Sequence, residues 1–138
     1  MGLLERNGDA RLTVIGERTF KEVVKQNVHE DAVLMTDEHN AYWGLIQDYS
    51  GHGVVNHSMM EFRKGEAYTN SLEGFFSHLK RSIFGIYHQV SPKHLQKYCN
   101  ETAYRYNSRK LTDKERFNKA LREINGRLTY KKLIEKVK

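Results

Sequence analysis

The run Ala32-Val33-Leu34-Met35-Thr36-Asp37-Glu38 decides the fold class. Its four successive apolar residues are too few for a helix and suit a strand buried on both faces, as strands inside α/β sheets are. The run ends in acids. Open α/β sheets place their sites at strand ends, so Asp37 is the first candidate residue. Upstream, Thr19 with Glu22 makes a capping-box pattern, and Phe20, Val23, Val24 and Val28 follow at helical spacing, which predicts a helix over 20–28. Before that, Leu3-Leu4-Glu5-Arg6 and Leu12-Thr13-Val14-Ile15 flank Asn7-Gly8-Asp9, a tight-turn signal that predicts a hairpin over 3–16. Downstream, 40–47 reads as a short helix with Tyr42, Trp43 and Ile46 on its apolar side. Gly53–Ser58 reads as a second strand, and 60–68 as a loop.

The remainder reads as helical. Asn70 and Glu73 repeat the capping-box pattern ahead of Leu72, Phe75, Phe76 and Leu79. Ser91-Pro92 reads as a helix start with serine as the cap, after which Leu95, Tyr98, Cys99, Thr102 and Tyr106 line one face. Thr112 and Glu115 open a further helix that Asn125-Gly126 stops, and 128–137 reads as a last short amphipathic helix. Strands and helices come first and helices after, which predicts an α/β domain with a helical C-terminal extension.

With 138 residues, 38% hydrophobic and 29% charged, the chain is sized for one globular domain. One proline excludes collagen-like and mucin-like chains, and the single Cys99 excludes a disulfide framework or a multi-cysteine zinc site. No stretch of 18 apolar residues is present, so no membrane span is expected, and MGLLERNGDA lacks the apolar core of a secretion signal. A reduced cytoplasmic setting follows. Charge is uneven. Residues 1–79 carry 7 Lys/Arg against 12 Asp/Glu, whereas residues 80–138 carry 16 against 5. A basic second half points to a polyanion, most simply DNA, although solvated helix faces give the same count.

Asp37 on a strand end, Glu73 in the first turn of a helix and Lys80 seven residues on, close to two helical turns, form the constellation with chemistry in it. Carboxylates hold Mg²⁺ or Mn²⁺, hard ions that prefer oxygen. Two such ions about 3.5–4 Å apart activate an attacking oxygen and stabilise a leaving one. A lysine beside them would hold a phosphate. Local sequence leaves a second reading of each residue: Asp37 as the cap of a helix starting near His39, Glu73 as the capping-box partner of Asn70, and Lys80 with Arg81 as an ordinary surface pair.

Several blocks occur together in a recognisable order: Thr36-Asp37-Glu38 with Ala41-Tyr42; Val55-Asn56-His57-Ser58; Tyr68-Thr69-Asn70-Ser71-Leu72-Glu73-Gly74-Phe75-Phe76-Ser77-His78-Leu79-Lys80-Arg81; Gly85-Ile86-Tyr87-His88-Gln89-Val90-Ser91-Pro92-Lys93-His94-Leu95-Gln96; and Tyr104-Arg105-Tyr106-Asn107-Ser108-Arg109. This pattern resembles the ISXO2-like DDE transposase domain of bacterial insertion sequences over about residues 1–110, leaving 111–138 as a basic helical tail. The resemblance implies a ribonuclease H-like fold and DNA strand transfer with divalent metal, two ions in a complete site. By that resemblance Asp37 matches the second catalytic acid and Glu73 the third. Lys80 matches the basic residue expected to touch the transposon end, and Asn70 a family asparagine bordering the site.

The resemblance also implies a first catalytic aspartate on a strand ahead of the hairpin. Asp9 sits in the turn and does not replace it, and nothing in the pattern promotes Glu5 on the hairpin strand. The expectation is therefore a truncated domain lacking its first strand. It would bind metal weakly through two acids and fail at strand transfer. The gap in its sheet would be closed by direct pairing of the remaining strands or by a partner chain, a second copy included.

Other residues carry less. The histidines His29, His39, His52, His57, His78, His88 and His94 show no zinc spacing, although His39 and His78 lie near the two acids. Tyr87, Tyr98, Tyr104 and Tyr106 interleave with Lys93, Lys97, Arg105 and Arg109. Such interleaving suits either base stacking with phosphate neutralisation, making Arg81, Lys93, Arg105 and Arg109 further DNA candidates, or a helical core. Tyr98 and Tyr106 read as core, while Tyr87 and Tyr104 are open. Cys99 and Trp43 read as packing residues. Three function classes compete: a metal-dependent transposase core, a DNA- or transposase-binding module without chemistry, and a fold in which Asp37, Asn70 and Glu73 are only caps.

Overall fold

The computed structural model describes residues 1–16, 19–37, 39, 42, 48–55, 69–124, 126, 129–130 and 134. The expected helix at 40–47 (with Trp43), the loop at 60–68 and the tail helix at 128–137 fall mainly outside these residues. The element order is β1 (Gly2–Leu4), β2 (Ala10–Leu12), α1 (Phe20–Asn27), β3 (Val33–Asp37), β4 (Gly51–Val55), α2 (Asn70–Ser82), α3 (Leu95–Asn107) and α4 (Asp113–Glu123). A π-helical turn over Ile83–Tyr87 extends α2, and a 3₁₀ turn over Pro92–His94 leads into α3.

β1 and β2 form the expected antiparallel hairpin, with Gly2 opposite Leu12 and Leu4 opposite Ala10. The strands are shorter than the sequence suggests. Glu5 N–H already bonds Asp9 C=O at 2.9 Å, so Glu5 closes the turn rather than lying in the strand, and Asn7 takes φ 61°. Asparagine tolerates that left-handed conformation.

Side-chain alternation makes the hairpin the middle layer of the molecule. Ala10 and Leu12 form one core with Phe75 of α2 and Cys99 of α3, joined by Leu4, Val14, Leu72, Phe76, Leu79, Leu95 and Tyr106. Met1 and Leu3 turn to the other face and pack on Val24 of α1, with Leu34 of β3 and Tyr49. Arg11 also points that way and bonds Asn27 at the end of α1. Gly2 is needed where β1 meets α2, because a Cβ there would lie 2.8 Å from Phe76 Cζ. Helices thus cover both faces of the hairpin, and the chain is α/β.

β3 pairs in parallel with β4, Val33 beside Gly51 through Asp37 beside Val55. Two expectations change here. β3 runs two residues beyond Met35, so that Asp37 is its last residue, and Val33 is 58% exposed rather than buried. β3 also has β4 as its single strand partner among the described residues. β4 begins at Gly51, two residues before Gly53, while 56–58 lie outside the described residues. Of the two expected ways of closing the sheet, direct pairing of the remaining strands is not seen among the described residues, where β1-β2 and β3-β4 are separate two-stranded sheets.

The outer edge of β2 is covered by side chains. Ala10 N–H donates to Asn107 Oδ1 at 2.7 Å, and Asn107 Nδ2 returns a bond to Ala10 C=O at 3.0 Å. Val14 N–H donates to Gln96 Oε1 at 2.7 Å, and Gln96 Nε2 donates to Leu12 C=O at 2.8 Å. Two carboxamides of α3 therefore do for β2 what a neighbouring strand would do, satisfying groups that otherwise invite pairing. The sequence pattern gave no sign of this, since Gln96 and Asn107 read as ordinary polar positions on a helix.

Candidate metal and DNA site

Asp37 ends β3 beside Val55, which ends β4 and is fully buried. The carboxylate is half-buried, and its Oδ1 accepts the His39 backbone N–H at 3.1 Å. This bond places His39 next to Asp37 through its main chain, while the helix that Asp37 would cap lies mainly outside the described residues. The His39 ring stands 6.4 Å from Phe20 and 6.2 Å from Tyr42. Desolvation, reinforced by the Asp37 charge, pushes the Tyr42 hydroxyl above its usual range.

Glu73 lies on the exposed side of the first turn of α2. The capping box with Asn70 does not form. Thr69 occupies the cap position, its carbonyl accepts from Leu72 N–H at 2.9 Å and Glu73 N–H at 3.1 Å, and Asn70 is already helical and exposed. Glu73 Oε1 instead accepts from Thr69 Oγ1 at 3.0 Å. The pattern misled because Thr69, one residue earlier, takes the turn that an Asn70 cap requires.

Helical geometry aligns the exposed residues of α2. Glu73, Ser77 and Lys80 are four and seven residues apart and share one face. Arg81 flanks that face, and its Nη2 lies 3.3 Å from His78 Nδ1. His78, five residues from Glu73, points to another side of the helix and does not border the acid. Asp37 and Glu73 stand on separate elements: α2 packs on β1, while Leu34 of β3 packs with Leu3 against the cluster of Val24 and Tyr49. Among the described residues, no group of three or more His, Cys, Asp or Glu is placed to hold a metal ion.

The remaining DNA candidates divide. Lys93 is half-buried on the 3₁₀ turn before α3, where Ser91 occupies the cap position without a side-chain bond and Pro92 takes the first place. Arg105 is committed to Glu101, with Nε at 3.0 Å and Nη2 at 2.9 Å from Oε1. Arg109 lies over the Tyr106 ring at 4.1 Å, donates to Tyr106 C=O at 2.9 Å and reaches Gly8 C=O at 3.3 Å, so it ties the hairpin turn to the end of α3. The open tyrosines also resolve as structural. Tyr87 donates to Glu101 Oε2 at 2.7 Å, which holds Glu101 below the usual carboxylate range, and Tyr104 donates to Arg116 C=O at 2.5 Å.

No described helix is long and apolar enough to cross a membrane. No match was found among curated proteins or among solved structures. The model of the ISXO2-like transposase domain matches residues 1–107. That span runs from β1 to the last residue of α3 and takes in both acids and Lys80. This chain belongs to the ISXO2-like transposase domain family.

Proposed function

We propose that the chain is a DDE transposase core of ribonuclease H-like design that meets transposon-end DNA along the exposed face of α2, with Asp37 and Glu73 as its metal-binding acids. The observation that carries this is the alignment of Glu73 with Lys80, both exposed, in a chain of a transposase family. Lys80 and Arg81 hold phosphates, and Asn70 stands one turn from Glu73 on the same helix. Arg105 and Arg109 hold the scaffold instead.

The donor chemistry fits Mg²⁺ or Mn²⁺, since both acids offer oxygen. The donor number does not fit, because two carboxylates leave the set one short among the described residues. Held by Asp37, Glu73 and a third acid, such ions would supply activation of an attacking hydroxyl and charge stabilisation at the leaving oxygen. A third carboxylate belongs on an extended segment laid along the outer edge of β1, where Gly2 and Leu4 turn their backbone groups away from β2. That segment would come from upstream sequence or from a partner chain. The test is plasmid nicking in Mn²⁺. The chain as given should not nick DNA. A form carrying an upstream strand with an aspartate should nick it, and Asp37→Asn should abolish the activity. Nicking that survives Asp37→Asn in the extended form overturns the assignment.

A further inference from the structure

The turn that follows α2 carries a feature that the acids and Lys80 leave unexplained. Phe84 and Ile86 are 73% and 69% exposed, with Gly85 between them bordered by open space. The segment is held firmly from behind. Ile83 and Tyr87 turn inward. Tyr87 meets the Tyr98 ring edge-on at 4.6 Å and donates to Glu101, which Arg105 holds in turn. Beyond it, Gln89 N–H bonds Tyr87 C=O at 2.6 Å and His88 takes φ 58°, so the chain reverses at once. The wider π turn brings Tyr87 over α3 and leaves Phe84-Gly85-Ile86 as a projecting apolar knuckle. Single π turns inside α-helices recur at functional sites.

The position of the knuckle says what it faces. Phe84 lies in the π turn that continues α2, four residues beyond Lys80 and three beyond Arg81, and all three side chains are exposed. A large apolar side chain beside Lys80 and Arg81 suits a ligand that offers phosphates and flat apolar surfaces together. DNA offers both. We infer that Phe84, supported by Ile86, stacks on a DNA base whose strand is held through its phosphates by Lys80 and Arg81. This inference rests on the DNA-binding part of the proposed function and not on its metal site.

The test is a fluorescence titration of the full chain with a labelled 30-base-pair duplex bearing a five-nucleotide single-stranded overhang, in parallel with a blunt duplex, over a range of salt. Base–aromatic stacking is worth about 1–3 kcal/mol, so Phe84→Ala should weaken overhang binding about tenfold with an unchanged salt slope, and Phe84→Trp should restore it. Lys80→Ala should instead lower the salt slope by about one. Because Phe84 is exposed, the melting midpoint of Phe84→Ala should match that of the parent, which separates contact from folding. Parent-like DNA binding by Phe84→Ala overturns the inference while leaving the proposed function standing. If that variant also loses self-association in sedimentation, the knuckle is an interface between copies of this chain. No DNA binding by the parent chain overturns both.

Discussion

Glu73 shows how one residue can satisfy a local pattern and then be placed otherwise. Thr19 and Thr112 close true capping boxes with Glu22 and Glu115, whereas Asn70 caps nothing. Thr19→Ala should therefore cost about 1 kcal/mol, and Asn70→Ala well under half of that. Urea unfolding of the two variants checks the contrast, and an equal cost would restore Asn70 as a cap. His52 belongs at the same scale. Its Nε2 meets Thr36 Oγ1 at 2.8 Å, next to Asp37, its Nδ1 is buried without a partner, and burial holds it below the ordinary value of 6.5. The folded chain resists protonating it while the unfolded chain does not. Stability is thus full above about 6.5 and declines as the pH falls from there through the lower folded value. His52→Gln should remove that decline, which melting curves between about pH 5 and pH 7.5 would detect. A decline of the same size in the variant would place its source elsewhere.

At the scale of elements, the apolar spacing was enough to find all four described helices, because each has a buried stripe or a true N-terminal signal. It found β3 and β4 with shifted ends, because a two-stranded parallel pair buries less than a central strand does and the continuous apolar run overstated its cover. What the pattern could not reveal is the edge of β2. Gln96 and Asn107 are eleven residues apart, three turns of α3, and each amide bonds the β2 main chain through both its groups. Polar residues on a helix have no periodic signature that distinguishes such a role. Replacing either by leucine leaves a buried N–H and C=O without partners, so each change should cost about 2 kcal/mol. Hydrogen exchange at Ala10 and Val14 should rise in Asn107→Leu and Gln96→Leu respectively. Unchanged exchange would mean that the amides are incidental.

Across the whole molecule, the charge asymmetry proved less specific than its size suggests. Part of the basic half is internal scaffold: Arg105 clamps Glu101, Arg109 clamps the hairpin turn, and Arg116 reaches Ser108 C=O at 3.4 Å. Of the cations that the sequence marks for DNA, Lys80 and Arg81 stand exposed near the end of α2. Lys80→Ala should accordingly weaken DNA binding at low salt more than Arg109→Ala does, with Arg109→Ala lowering the melting midpoint instead. Equal loss of binding in the two variants, with equal stability, would argue for a diffuse basic surface.

Asp37 and Glu73, from separate elements, are proposed to serve one metal site. The most direct measurement is Mn²⁺ titration of the isotope-labelled chain, followed by paramagnetic broadening of its amide resonances, which registers even weak binding. The amides of Asp37 and Glu73 should broaden together at the lowest Mn²⁺ levels, and Asp37→Asn should spare both. Broadening that begins at unrelated acids such as Asp31 or Asp113, or at Glu73 alone and unchanged by Asp37→Asn, would contradict it.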